Sequence, residues 1–384
     1  MPSINLLIKP ASGLCNMRCR YCFYHDITEK RLQSSYGFMP EKTLKNILKK
    51  ALEWADTSCT IAFQGGEPTL AGLSFFESAV RLSKEYNKKN IDINFALQTN
   101  GYNLGEEWAQ FFAKEHFLIG VSLDGTIHTH DAYRESIDGK GTFLNIIKTV
   151  DLFNRYGVEY NILTVVNKKT ASSVGKIYKY YRKMGFSYLQ FIPCLDPLET
   201  SPGTMEYSLT PEVYGQFLCD LFDLWYEDLT AGKEIYIRQF YNYCSLLLTG
   251  NAESCDMNGF CSIQNVIEAD GEVYPCDFFV LDEYKLGNLN DIGFGEVHRR
   301  RMESGFLSPS KLPDGECRAC LYFPLCRGGC YRHRMMSSEE NHRNYFCKSY
   351  QMFFEHCLPR LKQAAFILNK SLLTSPASDG ILPL

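Results

Sequence analysis

The chain has 384 residues, 45% of them hydrophobic and 22% charged, and a formal net charge of −4, with a sequence pI of about 6.1. This is the composition of a globular protein with ample core-forming residues, long enough for one large domain plus an appended module. With no overall basic field, neither nucleic acid nor an anionic membrane is expected as a partner. No apolar stretch reaches membrane-spanning length, and the one in "MPSINLLIKPASG" is too short for a secretory h-region. A cytoplasmic protein is therefore expected, where thiols stay reduced, so the 16 cysteines read as metal or redox chemistry rather than a disulfide framework.

Taken in chain order, a first strand, "INLLIK" near residue 4, leads into "GLCNMRCRYCFYHD" from Gly13 to Asp26, with Cys15, Cys19 and Cys22 close together. Five more strand patterns follow: "CTIAFQGG" near 59, "INFALQTNG" near 93, "LIGVSLDG" near 118, "YNILTVV" near 160 and "YLQFIPC" near 188. Amphipathic helices such as Leu73 to Asn87 separate them. Such alternation predicts an α/β fold with a parallel sheet of right-handed βαβ units. Six units predict a partial (β/α)6 TIM-type barrel with its chemistry at the C-terminal strand ends. After "PLETSPGT" near residue 200 the alternation stops, and "YGQFLCDLFDLWYEDL" predicts a helix. From Cys255 to Cys347 the chain is rich in cysteine, glycine and turns, with a hairpin expected around Asp270 and Gly271. That region needs ligated metal to supply folding energy. The expected division is 1–234 for the barrel, 235–370 for the cysteine-rich domain with flanking helices, and 371–384 for a loosely held tail.

A cubane iron-sulfur cluster has four irons, each needing a ligand, and thiolates are the usual donors. Three cysteines at the end of the first strand leave one iron open, which by analogy with catalytic zinc implies a reaction. A zinc site completed by His25, or three unrelated thiols, would account for the same residues. The spacing Cys-x3-Cys-x2-Cys, with Tyr21 before the last cysteine, resembles the cluster loop of the radical S-adenosylmethionine superfamily. The resemblance implies that the amino and carboxylate groups of the methionine moiety chelate the fourth iron. "FQGGEPTLAG" resembles that family's GGEP motif, implying that Gly65, Gly66 and Glu67 receive the methionine amino group. A cation at a strand end wants a carboxylate and close backbone approach, which glycine permits. By the same resemblance Gln64, Gln98, Ser122 and Arg134 line the cofactor or substrate.

Eight further cysteines read Cys255-x5-Cys261-x14-Cys276, then Cys317-x2-Cys320-x5-Cys326-x3-Cys330-x16-Cys347. A pair of structural zinc sites is the alternative reading. The pattern resembles the SPASM domain of radical enzymes that modify peptides, which implies two auxiliary [4Fe-4S] clusters and three in all. The interleaved ligation of that family assigns Cys255, Cys261, Cys276 and Cys330 to one cluster and Cys317, Cys320, Cys326 and Cys347 to the other. Cys59, Cys194, Cys219, Cys244 and Cys357 remain as small core hydrophobes. His128 and His130 in "HTH", the "HRRR" from His298 and the "RHR" from Arg332 are expected on solvated surfaces.

"YPCDFFVLDEYKLGN", from Tyr274 to Asn288, closely resembles the anaerobic sulfatase-maturating enzymes, as do "LLIKPAS", "CFYHD", "LQTNG", "LFDLWYEDL" and "CDMNG". The resemblance implies oxidation of a serine or cysteine in a sulfatase Cys/Ser-x-Pro-x-Arg segment to Cα-formylglycine. In the mechanism that the resemblance implies, an electron reduces the three-cysteine cluster, which would split S-adenosylmethionine into methionine and a 5′-deoxyadenosyl radical. By the same resemblance that radical would take a hydrogen from Cβ of the target, Asp277 would remove the hydroxyl or thiol proton, and the auxiliary clusters would take the last electron. The electron donor would be a flavodoxin or ferredoxin. Tyr24 is a candidate substrate contact or a packing aromatic at the barrel mouth. The alternative function is a SPASM-type maturase that installs a thioether, crosslink or other change on a ribosomally made peptide.

Overall fold

The computed structural model describes residues 3–308, 315–336 and 343–374, with side chains to Asn369. Its strands are β1 (Ile4–Ile8), β2 (Met17–Cys19), β3 (Ser58–Phe63), β4 (Asp92–Thr99), β5 (Leu118–Ser122), β6 (Arg134–Ser136), β7 (Tyr160–Val166), β8 (Tyr188–Pro193), β9 (Tyr236–Ile237), β10 (Asn265–Ile267), β11 (Glu272–Tyr274) and β12 (Gly287–Asn288). The principal helices are α1 (Phe23–Glu29), α2 (Glu41–Trp54), α3 (Leu73–Tyr86), α4 (Glu106–Lys114), α5 (Phe143–Tyr156), α6 (Val174–Met184), α7 (Pro211–Thr230), α8 (Arg238–Thr249) and α9 (Cys347–Thr374). The six expected strands are β1, β3, β4, β5, β7 and β8, with helices between them, so the chain is of the expected α/β class.

Contacts divide the chain into two compact units, one holding residues up to Leu123, His130–Asn161 and Ile263–Phe306, the other Asp124–Thr129, Ile162–Ser262 and the residues from Leu307 on. In the first, strand order is β12-β11-β10-β1-β3-β4-β5. The pairs β1/β3, β3/β4 and β4/β5 are parallel. Period-2 burial sets this register: Ile4, Leu6 and Ile8 of β1 and Cys59, Ile61 and Phe63 of β3 point into the core. The expected hairpin forms, with β10 and β11 antiparallel. It also extends the sheet, because β10 runs parallel to β1 with Leu6 opposite Asn265 and Ile8 opposite Ile267. That pairing carries Glu268 to the end of β1, where the Lys9 side chain reaches Asp277. A two-stranded ribbon, β2 with β6, sets Cys19 opposite Arg134.

In the second unit β7, β8 and β9 run parallel. Helix α7 starts where Thr210 caps Val213 N–H ahead of Pro211. Phe222, Phe240 and Phe353, from α7, α8 and α9, pack with ring centroids 5.3–5.8 Å apart, joining three helices into one aromatic core. Helix α9 continues to Thr374, and the rest of the expected tail lies outside the described residues. All five non-ligand cysteines are buried. Three surface assignments need correction. His130 is fully buried, its Nε2 3.1 Å from Thr142 Oγ1. Arg301 is buried and donates to Gln264 O and Asn265 Oδ1. Arg332, His333 and Arg334 are buried too, and Arg332 donates to Asp196 O. Desolvation holds the His333 imidazole well down, at about 3. A guanidinium can be buried when backbone carbonyls receive its donors, and a charge run does not reveal that in sequence. Among the described residues no helix is long and apolar enough to cross a membrane.

Candidate active site

The first unit gathers the site at the C-terminal ends of β1, β3 and β4. The cysteine loop follows β1 and closes on itself where Cys22 N–H donates to Cys19 O. Cys15 Sγ accepts from Met17 N–H at 3.4 Å and from Asn100 Nδ2 at 3.7 Å. Arg134 Nη1 lies 3.9 Å from Cys19 Sγ, and its guanidinium covers the Tyr21 ring. Burial, with the charge of Glu67 behind it, pushes the Cys15 thiol up to about 12. A thiolate there therefore needs cationic compensation of the kind a metal supplies. Three cysteines with N–H donors aimed at their sulfurs fit a cluster bound through three thiolates. Among the described residues no three His, Cys, Asp or Glu are placed to hold one metal ion. A cubane does not require that, since each of its irons takes its own thiolate.

The GGEP turn lies directly beneath this loop. Gly66 has φ +53°, and a Cβ there would sit 2.1 Å from Leu14 O, so only glycine allows the two backbones to meet. Glu67 N–H then donates to Leu14 O at 2.8 Å. The Glu67 carboxylate is fully buried. Its Oε1 accepts from Thr69 N, Thr69 Oγ1 and Thr99 Oγ1 at 2.7–3.0 Å, and its Oε2 from Asn100 N at 2.8 Å. Burial raises its pKa against the pull of these donors. Asn100 in turn donates to Asn16 Oδ1. One carboxylate thus ties the GGEP turn to the end of β4, and Asn100 ties β4 to the cysteine loop. Gln98 is half-buried on β4 opposite Gly120, and Ser122 is buried at the end of β5.

Asp277 follows Cys276 at the start of a short 3-10 turn, Asp277–Phe279, that packs on α1 through Phe278 and Phe23, centroids 4.9 Å apart. Its carboxylate is 13% exposed. Oδ1 takes Lys9 Nζ at 2.5 Å, and Oδ2 takes Gln64 Nε2 at 2.8 Å. Gln64 therefore touches the candidate base. Lys9 Nζ also lies 3.8 Å from the centroid of the Tyr24 ring. Tyr24 is itself buried, and its hydroxyl donates to Glu268 Oε1, which also pairs with Arg31 Nη1 at 2.7 Å. Sequence reasoning missed Lys9, Arg31, Thr69, Thr99, Asn100 and Glu268. The one available signal was a lysine closing an otherwise apolar strand.

In the second unit Cys317, Cys320, Cys326 and Cys347 line one cavity with Tyr322 and Tyr350. These are the four cysteines that the resemblance groups into one set. Burial and the neighbouring thiols push Cys326 up to about 12. Burial chiefly, with the charge of Cys261 beside it, raises Cys255 to about 11, and burial with the charges of Asp256 and Cys255 raises Cys330 to about 12. Cys276 belongs to the first unit.

Residues 10–181 match the family model of the Radical SAM superfamily, and residues 255–321 match SPASM, an iron-sulfur cluster-binding domain. The chain is 46% identical over 366 residues to the cysteine-type anaerobic sulfatase-maturating enzyme of Clostridium novyi, covering 95% of this chain and 98% of that one. It is 30% identical to the serine-type enzyme of Bacteroides thetaiotaomicron, covering 98% and 94%. A solved structure, native anSMEcpe with bound AdoMet, superposes with a TM-score of 0.92 at 44% identity, covering 96% of this chain and 100% of that one. The same enzyme with bound AdoMet and the Cp18Cys peptide gives 0.91 at 44%, with the same coverage. At 46% identity over 95% of its length, and with the cysteine loop and the GGEP turn both present, the chain belongs to the anaerobic sulfatase-maturating enzymes of the radical SAM superfamily.

Proposed function

We infer that this protein oxidises a cysteine in a sulfatase Cys-x-Pro-x-Arg segment to Cα-formylglycine, with S-adenosylmethionine and three [4Fe-4S] clusters as cofactors. The observation that carries the reading is the Asp277 carboxylate, pinned by Lys9 and Gln64 beside the first glycine of the GGEP turn. When bound, the cofactors supply hydrogen-atom abstraction at Cβ of the target and a sink for the remaining electron, which a flavodoxin or ferredoxin type of protein balances by supplying the starting electron.

The chain's own residues position and deprotonate. Each Asp277 oxygen keeps a lone pair after its bond to Lys9 or Gln64, so the carboxylate is oriented yet able to accept the thiol proton. Cys15, Cys19 and Cys22 hold the cleaving cluster. Gly65, Gly66 and Glu67 form the bed for the methionine amino group, and Gln98, Ser122 and Arg134 line the rest of the cofactor site. Tyr24 is assigned as the wall behind Lys9, because its hydroxyl is committed to Glu268. The auxiliary ligand sets are Cys255, Cys261, Cys276 and Cys330, and Cys317, Cys320, Cys326 and Cys347. We assign the cleavage chemistry to residues 1–234 and the auxiliary clusters to 235–370, although 263–306 fold with the first unit. Chemistry on reduced thiols points to the cytoplasm.

The cysteine-type relatives, at 45–46% identity against 27–30% for the serine type, favour cysteine as target. Reconstituted enzyme incubated with matched peptides tests this by mass. The cysteine peptide loses about 18 Da as thiol carbon becomes aldehyde, and a serine peptide loses about 2 Da. Faster turnover of the serine peptide would reverse the target assignment. A thioether or crosslink in place of an aldehyde would overturn the function.

A further inference from the structure

We propose that Lys9 is a positioning residue of the reaction: a buried strut that runs from β1 across Gly65 to Asp277 and fixes the carboxylate in the orientation that accepts the substrate proton. The inference rests on the base assignment above.

Four observations converge on it. The Lys9 side chain has 0% exposure, yet its ammonium is placed on a single carboxylate oxygen, at 2.5 Å. A buried lysine is costly unless its charge is matched, and here it is matched by the candidate base and by the face of Tyr24. Its backbone is fixed as well, since Lys9 N–H donates to Ile267 O at 2.8 Å, one residue before Glu268 in the hairpin that delivers Asp277. Most tellingly, a Cβ on Gly65 would lie 2.8 Å from Lys9 Cγ and 2.9 Å from Nζ, with φ at +101°. The first glycine of GGEP is thus the floor over which the lysine stem passes, and the cofactor turn and the base share one part. Gln64 holds the other carboxylate oxygen, so removing Lys9 leaves Asp277 with one tether and freedom to rotate about it.

The test compares Lys9→Met, Lys9→Arg and Asp277→Asn in the reconstituted enzyme, reading 5′-deoxyadenosine and aldehyde separately with a cysteine-containing sulfatase peptide. Lys9→Met is expected to keep cofactor cleavage and peptide KM while aldehyde formation falls about tenfold to a hundredfold, part of the roughly 10²–10⁴ that a positioned base contributes. Lys9→Arg, which retains a cation, is expected to recover part of the coupling. A purely structural lysine would lower both products in proportion, and that result overturns the proposal, as does a Lys9→Met enzyme coupled like wild type. If Lys9→Met does not fold, Lys9→Gln is read by the same ratio. The two readings fail separately. Asp277→Asn turning over normally refutes the base assignment, whereas Asp277→Asn inactive beside a normal Lys9→Met refutes the strut alone.

Discussion

Glu67→Gln separates the work the GGEP carboxylate does for the fold from any contact it makes with a cofactor. Two backbone donors, Thr69 N–H and Asn100 N–H, end on different oxygens of the buried carboxylate. The hydroxyls of Thr69 and Thr99 can rotate to accept, but the two amides cannot. An amide side chain has one oxygen and one NH2, so one backbone N–H must face another donor. Leaving one buried donor unsatisfied costs about 1–3 kcal/mol, and losing the anionic character of the remaining bonds adds to that. A central figure of about 2 kcal/mol corresponds to roughly 30-fold faster exchange wherever opening of this junction controls the amide. Hydrogen exchange, run anaerobically and without S-adenosylmethionine, should show the change at Asn100, at Thr69 and across the cysteine loop. Wild-type protection in Glu67→Gln would refute the tether.

Three further outcomes follow from the geometry. Gly66→Ala adds about 1–2 kcal/mol of left-handed strain and displaces Leu14 O by about 1 Å, a misplacement that can cost on the order of a hundredfold; cofactor cleavage should fall by that order, and a wild-type cleavage rate would contradict the close approach. Cys347→Ala should lower iron from about twelve to about eight per chain while leaving cofactor cleavage in place, whereas unchanged iron would remove Cys347 from its set. In cluster-free protein, burial raises Cys15, Cys326 and Cys330 to about 12 from an ordinary value near 9. Above pH 9 the unfolded chain therefore binds fewer protons than the folded one, and stability falls as pH rises from about 9 to about 12. Chemical unfolding across that window should show the loss, and it should be smaller in the cluster-loaded protein.

How much of this was legible follows the distance over which each feature is encoded. The cysteine loop and the GGEP turn are local motifs, whereas the grouping of Cys317, Cys320, Cys326 and Cys347 came from the family resemblance; these four line one cavity in the structure. The six strands were legible because apolar runs bounded by turns and separated by helices leave few topologies open. Lys9 and Glu268 were not legible as site residues, because their partners arise from the β1/β10 pairing between segments some 260 residues apart. Glu67 was legible as important but not in its bonding, since Thr69, Thr99 and Asn100 look like ordinary polar loop residues. The arginines at 301, 332 and 334 misled, because a buried guanidinium and a solvated one share the same letter.

The measurement that bears most directly on the account is aldehyde formed per 5′-deoxyadenosine by Asp277→Asn. With a cysteine peptide and fully loaded clusters, cofactor cleavage is predicted to continue while aldehyde falls by at least about a hundredfold. An unchanged ratio would contradict the proton-accepting role on which the proposed function rests.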